Sequence, residues 1–195
     1  MWKALKHLSK KIFDIAKKRD KGIELRVHPT LIPEKRLIAN VNGAMNAVVV
    51  KGNMVGPTLY YGAGAGALPT ASAVVADLID ISRLSQVPPH GFEDNKIDSI
   101  PIYKIEDAIS GYYLRIRVSD KPGVLAEITK LFGDKKISID AMLQKEPQEH
   151  ESEADIVILS HLALEKDINT VIDSIESLSA TIGKVIKIRL EELSK

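Results

Sequence analysis

Two stretches of this 195-residue chain hold residue types able to bind a charged small molecule through main-chain amides. The first is Tyr60-Tyr61-Gly62-Ala63-Gly64-Ala65-Gly66-Ala67-Leu68-Pro69-Thr70. Alternate glycines remove every second Cβ, so backbone N–H groups can approach a ligand and positive φ is open without strain. Pro69 and Thr70 suit the first turn of a helix, where proline's missing N–H costs nothing. Val74, Val75, Leu78, Ile79 and Ser82 then keep helical spacing. A helix start behind such a loop presents unpaired donors and partial positive charge, which suits a phosphate or pyrophosphate. A plain structural turn has the same composition. The dinucleotide fingerprint is incomplete here: Pro69 takes the place of the third glycine, and no acidic ribose reader ends a following strand. The second stretch is Asp120-Lys121-Pro122-Gly123-Val124-Leu125, a turn leading into a helix marked by Leu125, Ile128, Leu131 and Phe132. The amides of Gly123, Val124 and Leu125 suit a carboxylate and Asp120 suits an ammonium, which together describe an amino-acid site. The alternative is a helix start in a dimerisation module.

The elements that position the second stretch are legible in the pattern. Leu114, Ile116 and Val118 alternate with Tyr113, Arg115 and Arg117, a half-buried strand. Further strand runs cover 137–144 and 154–162, separated by a polar segment, and Ile168, Val171, Ile172, Ile175 and Leu178 mark a second helix. A final strand puts Ile186, Ile188 and Leu190 on one face and Lys187, Arg189 and Glu191 on the other. The order β-α-β-β-α-β is the ferredoxin-like split βαβ unit, with both helices on one face of four antiparallel strands. Its sheet edges and open face need a partner.

Upstream, Leu5, Leu8, Ile12, Ile15 and Ala16 predict an amphipathic helix whose other face carries Lys3, Lys6, Lys10, Lys17 and Lys18. Apolar runs at 23–27, 46–51 and 54–61 follow, and Gly52-Asn53 between the last two predicts a hairpin. Residues 85–99 are rich in proline and charged residues, a composition that builds no core. The chain therefore divides into 1–84, a linker at 85–108, and 109–195.

Composition sets limits on function. Hydrophobic residues make up 45% and charged residues 27%, ordinary for a folded protein. A net charge of +1 gives no global reason to expect nucleic acid or an anionic membrane as partner. Zero cysteines exclude disulfides and thiolate metal sites. His7, His28, His90, His150 and His161 show no paired metal spacing, and His150 among Glu149, Glu151 and Glu153 reads as a solvated loop. No membrane-length apolar run or signal-peptide pattern occurs, so a cytoplasmic location is expected.

The segment 112–145, centred on Ser119-Asp120-Lys121-Pro122-Gly123-Val124-Leu125-Ala126, resembles an ACT domain, a regulatory module of amino-acid metabolism. Three further segments resemble the C-terminal half of bacterial homoserine dehydrogenase: Glu24-Leu25-Arg26-Val27-His28-Pro29-Thr30, Asn42-Gly43-Ala44-Met45-Asn46-Ala47-Val48, and the glycine loop running on through Pro69-Thr70-Ala71-Ser72-Ala73 to Asp77. These resemblances occur in the family's order and imply an α+β fold. A partial α/β catalytic and dimerisation region (1–84), with mixed or antiparallel strands, precedes a ferredoxin-like ACT domain (109–195). They further imply an oxidoreductase of threonine, methionine and isoleucine biosynthesis, interconverting L-homoserine and L-aspartate 4-semialdehyde with NADP or NAD. The family's Rossmann domain and catalytic lysines are expected on a segment preceding residue 1, so no catalytic residue is assigned in this chain, which alone is expected to be inactive. Gly91-Phe92-Glu93-Asp94-Asn95-Lys96 mixes similar residue types at the wrong spacing. The resemblance assigns Gly66 to the cofactor, with Gly64 and Thr70 beside it. It assigns Asp120, Gly123, Val124 and Leu125 to an effector, threonine being the first candidate, and it implies a homodimer or tetramer. A non-catalytic amino-acid-sensing module is the alternative reading.

Overall fold

The computed structural model describes residues 8–83, 99–144 and 152–191. Two compact units result: residues 1–34 together with 100–195, and residues 35–99.

In the first unit the chain opens with two long strands, β1 (Leu8–Arg19) and β2 (Gly22–Pro33), paired antiparallel from Leu8 opposite Pro33 to Arg19 opposite Gly22. The helix expected over Leu8 to Ala16 is therefore a strand; Leu5, Lys3 and Lys6 lie outside the described residues. The 3–4 spacing of Leu8, Ile12 and Ile15 fits a helix, but Ile12, Phe13 and Ile15 are β-formers, and pairing with β2 along all twelve residues decides the matter. The lysines do not form one solvated stripe either: Lys17 pairs with Glu191 at 2.7 Å.

The rest of this unit follows the expected order. β5 (Ile109–Ser119) leads into α2 (Val124–Asp134), then β6 (Ile139–Gln144), β7 (Glu153–Leu164), α3 (Glu165–Glu176) and β8 (Ile186–Leu190). The sheet runs β1-β2-β8-β5-β7-β6, so the ferredoxin-like four strands are extended by the N-terminal hairpin. β2 lies parallel to β8, with Thr30 opposite Arg189 and Leu31 opposite Leu190; the other pairings are antiparallel. One edge expected to be open is thus covered from within the chain. The compact units accordingly differ from a division at residue 84, because the hairpin joins the C-terminal sheet. The end of the expected linker also touches it: the Ile23 N–H donates to the Pro101 carbonyl at 2.8 Å, while 84–98 lie outside the described residues.

Alternation on β5 sends Tyr112, Leu114, Ile116 and Val118 to one face, where all are buried. Ala154, Ile156 and Ile158 of β7 join them. Val124, Ile128 and Phe132 of α2 and Ile168, Val171 and Ile175 of α3 pack on this layer, so both helices cover one face as the periodicity requires.

The second unit contains the expected hairpin, β3 (Met45–Gly52) with β4 (Gly56–Ala63), paired from Met45 opposite Ala63 to Gly52 opposite Gly56. The glycine loop follows and then α1 (Ala67–Arg83), a 17-residue helix with no buried residue.

Candidate functional site

The turn between β5 and α2 forms a groove of about 430 Å³. It is lined by Val118, Ser119, Asp120, Lys121, Pro122, Gly123, Val124 and Leu125, with Gln144 from the end of β6 and Ile156 from β7. The structure thus brings together all four expected effector residues. Gly123 is the N-cap of α2 with φ +95°, a left-handed value that makes glycine the natural occupant. From there the chain enters a helix whose first amides have no intrahelical acceptor. The Val124 N–H has a long contact to the Lys121 carbonyl, 3.4 Å, whereas the Leu125 N–H belongs to the open first turn. Asp120 is anchored through its own N–H to the Ser152 carbonyl at 2.8 Å. One of its carboxylate oxygens receives the Gln144 side-chain amide at 3.2 Å. The Asp120 residue is exposed to solvent. The groove therefore offers an acidic group, a helix start and an apolar floor, the set needed to hold both ends of a free amino acid. Gln144 was not foreseen; only the pairing of β6 with β7 brings it beside the turn.

The glycine loop, in the other unit, has a different design for each of its three expected residues. Gly66 has φ +128°, and a Cβ there would crowd the Pro69 ring at 3.2 Å. Its carbonyl accepts the Thr70 N–H at 3.1 Å, the first turn of α1. Ala67 and Leu68 therefore carry first-turn amides without intrahelical acceptors. Gly64 uses its amide within the protein, donating to the Ala44 carbonyl at 2.8 Å. Its missing Cβ makes room for the Asn46 side chain. Composition marked both glycines, but only the fold separates the one that closes the hairpin from the one that turns into the helix.

One buried charged group was not foreseen. Glu165, at the start of α3, is buried and receives Arg189 Nε at 2.8 Å, Lys187 Nζ at 2.5 Å and the Tyr112 hydroxyl at 2.8 Å. Burial pushes its pKa up, but hydrogen bonds from Arg189, Lys187 and Tyr112 more than offset this and hold it at about 2. Tyr112 is pushed upward in turn, first by burial and then by the Glu165 carboxylate. Lys187 and Arg189, which alternation puts on the face opposite Ile186 and Ile188, therefore point to the helix side. A second polar group lies on the hairpin: Arg26 pairs with Glu24 at 2.6 Å and donates to the Ser110 hydroxyl at 2.7 Å. His150 and its neighbours at 149 and 151 lie outside the described residues.

Comparison with known proteins bears on both regions. Residues 2–79 match the homoserine dehydrogenase family model, and residues 112–180 match the ACT domain. A homoserine dehydrogenase of Methylobacillus glycogenes is 54% identical over 183 residues, covering 93% of this chain and 44% of that protein. Its counterpart in Pseudomonas aeruginosa is 45% identical, covering 97% of this chain and 44% of its own length. A crystal structure of homoserine dehydrogenase from Thiobacillus denitrificans superposes with a TM-score of 0.88 at 53% identity, covering 99% of this chain and 44% of that one. The chain thus spans less than half the length of these relatives. By sequence and by fold it belongs to the homoserine dehydrogenase family, as the C-terminal part, ending in an ACT domain.

Proposed function

We propose that the chain forms the C-terminal catalytic-region and regulatory portion of an enzyme that interconverts L-homoserine and L-aspartate 4-semialdehyde with NADP or NAD. An amino acid bound in the Asp120–Leu125 groove controls that enzyme. The observation that carries the regulatory half is the groove itself, where Asp120 and the first amides of α2 face one space of amino-acid size. The dehydrogenase half is supported by the 2–79 match and by the Gly66 bend. After that bend the Ala67 and Leu68 amides open the helix, which suits an anionic part of a dinucleotide. Gly66 and these amides would hold the coenzyme, Gly64 supporting them through Asn46. The coenzyme, when bound, supplies or accepts the hydride. This reading also includes a cytoplasmic homodimer or tetramer and threonine as effector; no described helix is long and apolar enough to cross a membrane.

The regulatory reading is tested by calorimetry and thermal melting with threonine. Threonine is expected to release or absorb heat and to raise the melting temperature, and Gly123→Ala or Asp120→Ala is expected to weaken both effects. Absence of heat and of any melting shift with the native chain overturns it. The coenzyme reading is tested in the full-length protein, where Gly66→Ala is expected to raise the coenzyme KM.

A further inference from the structure

The inner face of β2 is polar where a buried strand face is ordinarily apolar: Glu24, Arg26, His28 and Thr30 are all buried, while Leu25 and Val27 on the opposite face are 50% and 71% exposed. Burying such groups costs free energy unless each is paired. Glu24 and Arg26 form an ion pair at 2.6 Å and Arg19 adds a bond to Glu24 at 2.7 Å, although Glu24 Oε1 and Arg26 Nε and Nη2 have no aligned hydrogen-bond partner among the described residues. His28 is bonded to no counter-charge among the described residues. Its Nδ1 lies 3.1 Å from the Pro29 carbonyl and 2.9 Å from the Thr30 hydroxyl. That hydroxyl donates its own proton to the His28 carbonyl at 3.2 Å. Because the Pro29 carbonyl can only accept, the contacts assign the proton to Nδ1 and the ring's lone pair to Nε2, which is buried with no hydrogen-bond partner among the described residues. A proton gained by this ring lands on Nε2, where no acceptor waits.

The charges around the ring make the same point. From β2 itself comes Arg26, with Glu24 beyond it already bound to that arginine. β8 contributes Arg189, α3 contributes Glu165, and the Tyr112 hydroxyl from β5 is bound to Glu165. On β1 the residue opposite His28 is the uncharged Phe13, and Lys11 stands opposite Thr30. The cations repel a charged imidazole. Glu165 attracts it, yet that carboxylate is already engaged by Arg189, Lys187 and Tyr112, as Glu24 and Glu191 are by Arg26.

We propose that His28 is a protonation latch on the β1–β2 hairpin: the neutral ring seals the hairpin against β8, and the protonated ring releases it. Release would return the edge of β8 to solvent. Burial foremost, with the push of Arg189 and Arg26, holds the imidazole below its ordinary value of 6.5, against the Pro29 hydrogen bond and Glu165. Because the docked value is the lower one, docking is strongest above 6.5 and weakens as pH falls through the interval between the two values. The released ring binds one more proton, so the opening constant rises up to about tenfold per pH unit in that interval.

Hydrogen exchange of the full chain, corrected for intrinsic rates, tests this between about pH 7.5 and about pH 5.5. Amides of 23–32 are expected to open several-fold to about tenfold more at the lower pH, while those of α2 do not change, and His28→Gln is expected to remove the difference. An opening constant independent of pH, one rising equally in α2, or one unchanged by His28→Gln overturns the proposal. Should the variant fail to fold, an NMR titration of the native His28 ring decides: a midpoint below 6.5 supports the latch, and one at or above 6.5 refutes it.

Discussion

Replacing Glu165 by glutamine removes the carboxylate on which Arg189, Lys187 and Tyr112 converge, leaving two cations whose side chains are only 18% and 23% exposed. The fold holds this carboxyl at about 2 against an ordinary 4.5. At roughly 1.4 kcal/mol per pH unit, the preference for the charged form is worth about 3 kcal/mol. Partial access of water to Lys187 and Arg189 recovers some of that, so the expected loss is about 2 kcal/mol. Urea unfolding near neutral pH, followed by far-ultraviolet circular dichroism, reads this directly. With a urea dependence of about 2 kcal/mol per molar, the midpoint falls by about 1 M with an unchanged slope. The pH dependence carries a second signature. Because the folded value is the lower one, the contribution is full above 4.5 and is lost as pH falls toward 2. The native chain should therefore lose stability across that interval more steeply than Glu165→Gln. Parallel acid profiles, or a midpoint shift below about 0.3 M, would refute the reasoning.

Two further outcomes are expected. Gly22→Ala places a Cβ against the main-chain carbonyl of Pro101, which cannot rotate away, so it should cost at least about 2 kcal/mol in the same unfolding assay; a neutral result would show that the segment around Pro101 does not hold the hairpin turn. Leu68, Leu78 and Ile81 of α1 are 84%, 60% and 70% exposed. At about 1.5 to 3 kcal/mol for each side chain buried, that surface should drive self-association of the chain, and sedimentation showing monomer alone at about micromolar concentration would contradict this.

How much the residues disclosed depended on whether the signal was local. Tyr112 to Val118, Val124 to Phe132 and Ile168 to Ile175 each bury one face within a single element, so their period alone set strand or helix. The order of those elements then left few topologies. The turn at Asp120 was readable because Gly123 must take a left-handed conformation at a helix start, which short-range chemistry decides. The first strand was not readable in this way. Its spacing satisfied a helix as well as a strand, and the pairing with residues 22–33 that settled it is a tertiary fact. The partner of Lys187 and Arg189 was also out of reach. Alternation told which residues share a face, but not that Glu165 comes in from a helix 22 and 24 positions earlier to meet them. The polar inner face of β2 was equally beyond the reach of the pattern, because its partners lie on other elements.

Lys17 and Glu191 form their ion pair across 174 positions of chain. A ribosome making this protein releases the first hairpin long before the strand that receives it has been translated. During that interval Glu24, Arg26 and their neighbours face water, and the hairpin's free rim can recruit the wrong chain. Maturation should therefore close slowly, at the step that joins β2 to β8. Expression of an isolated regulatory segment beginning near residue 109 would forfeit that closure and leave Arg189 beside a bare sheet margin.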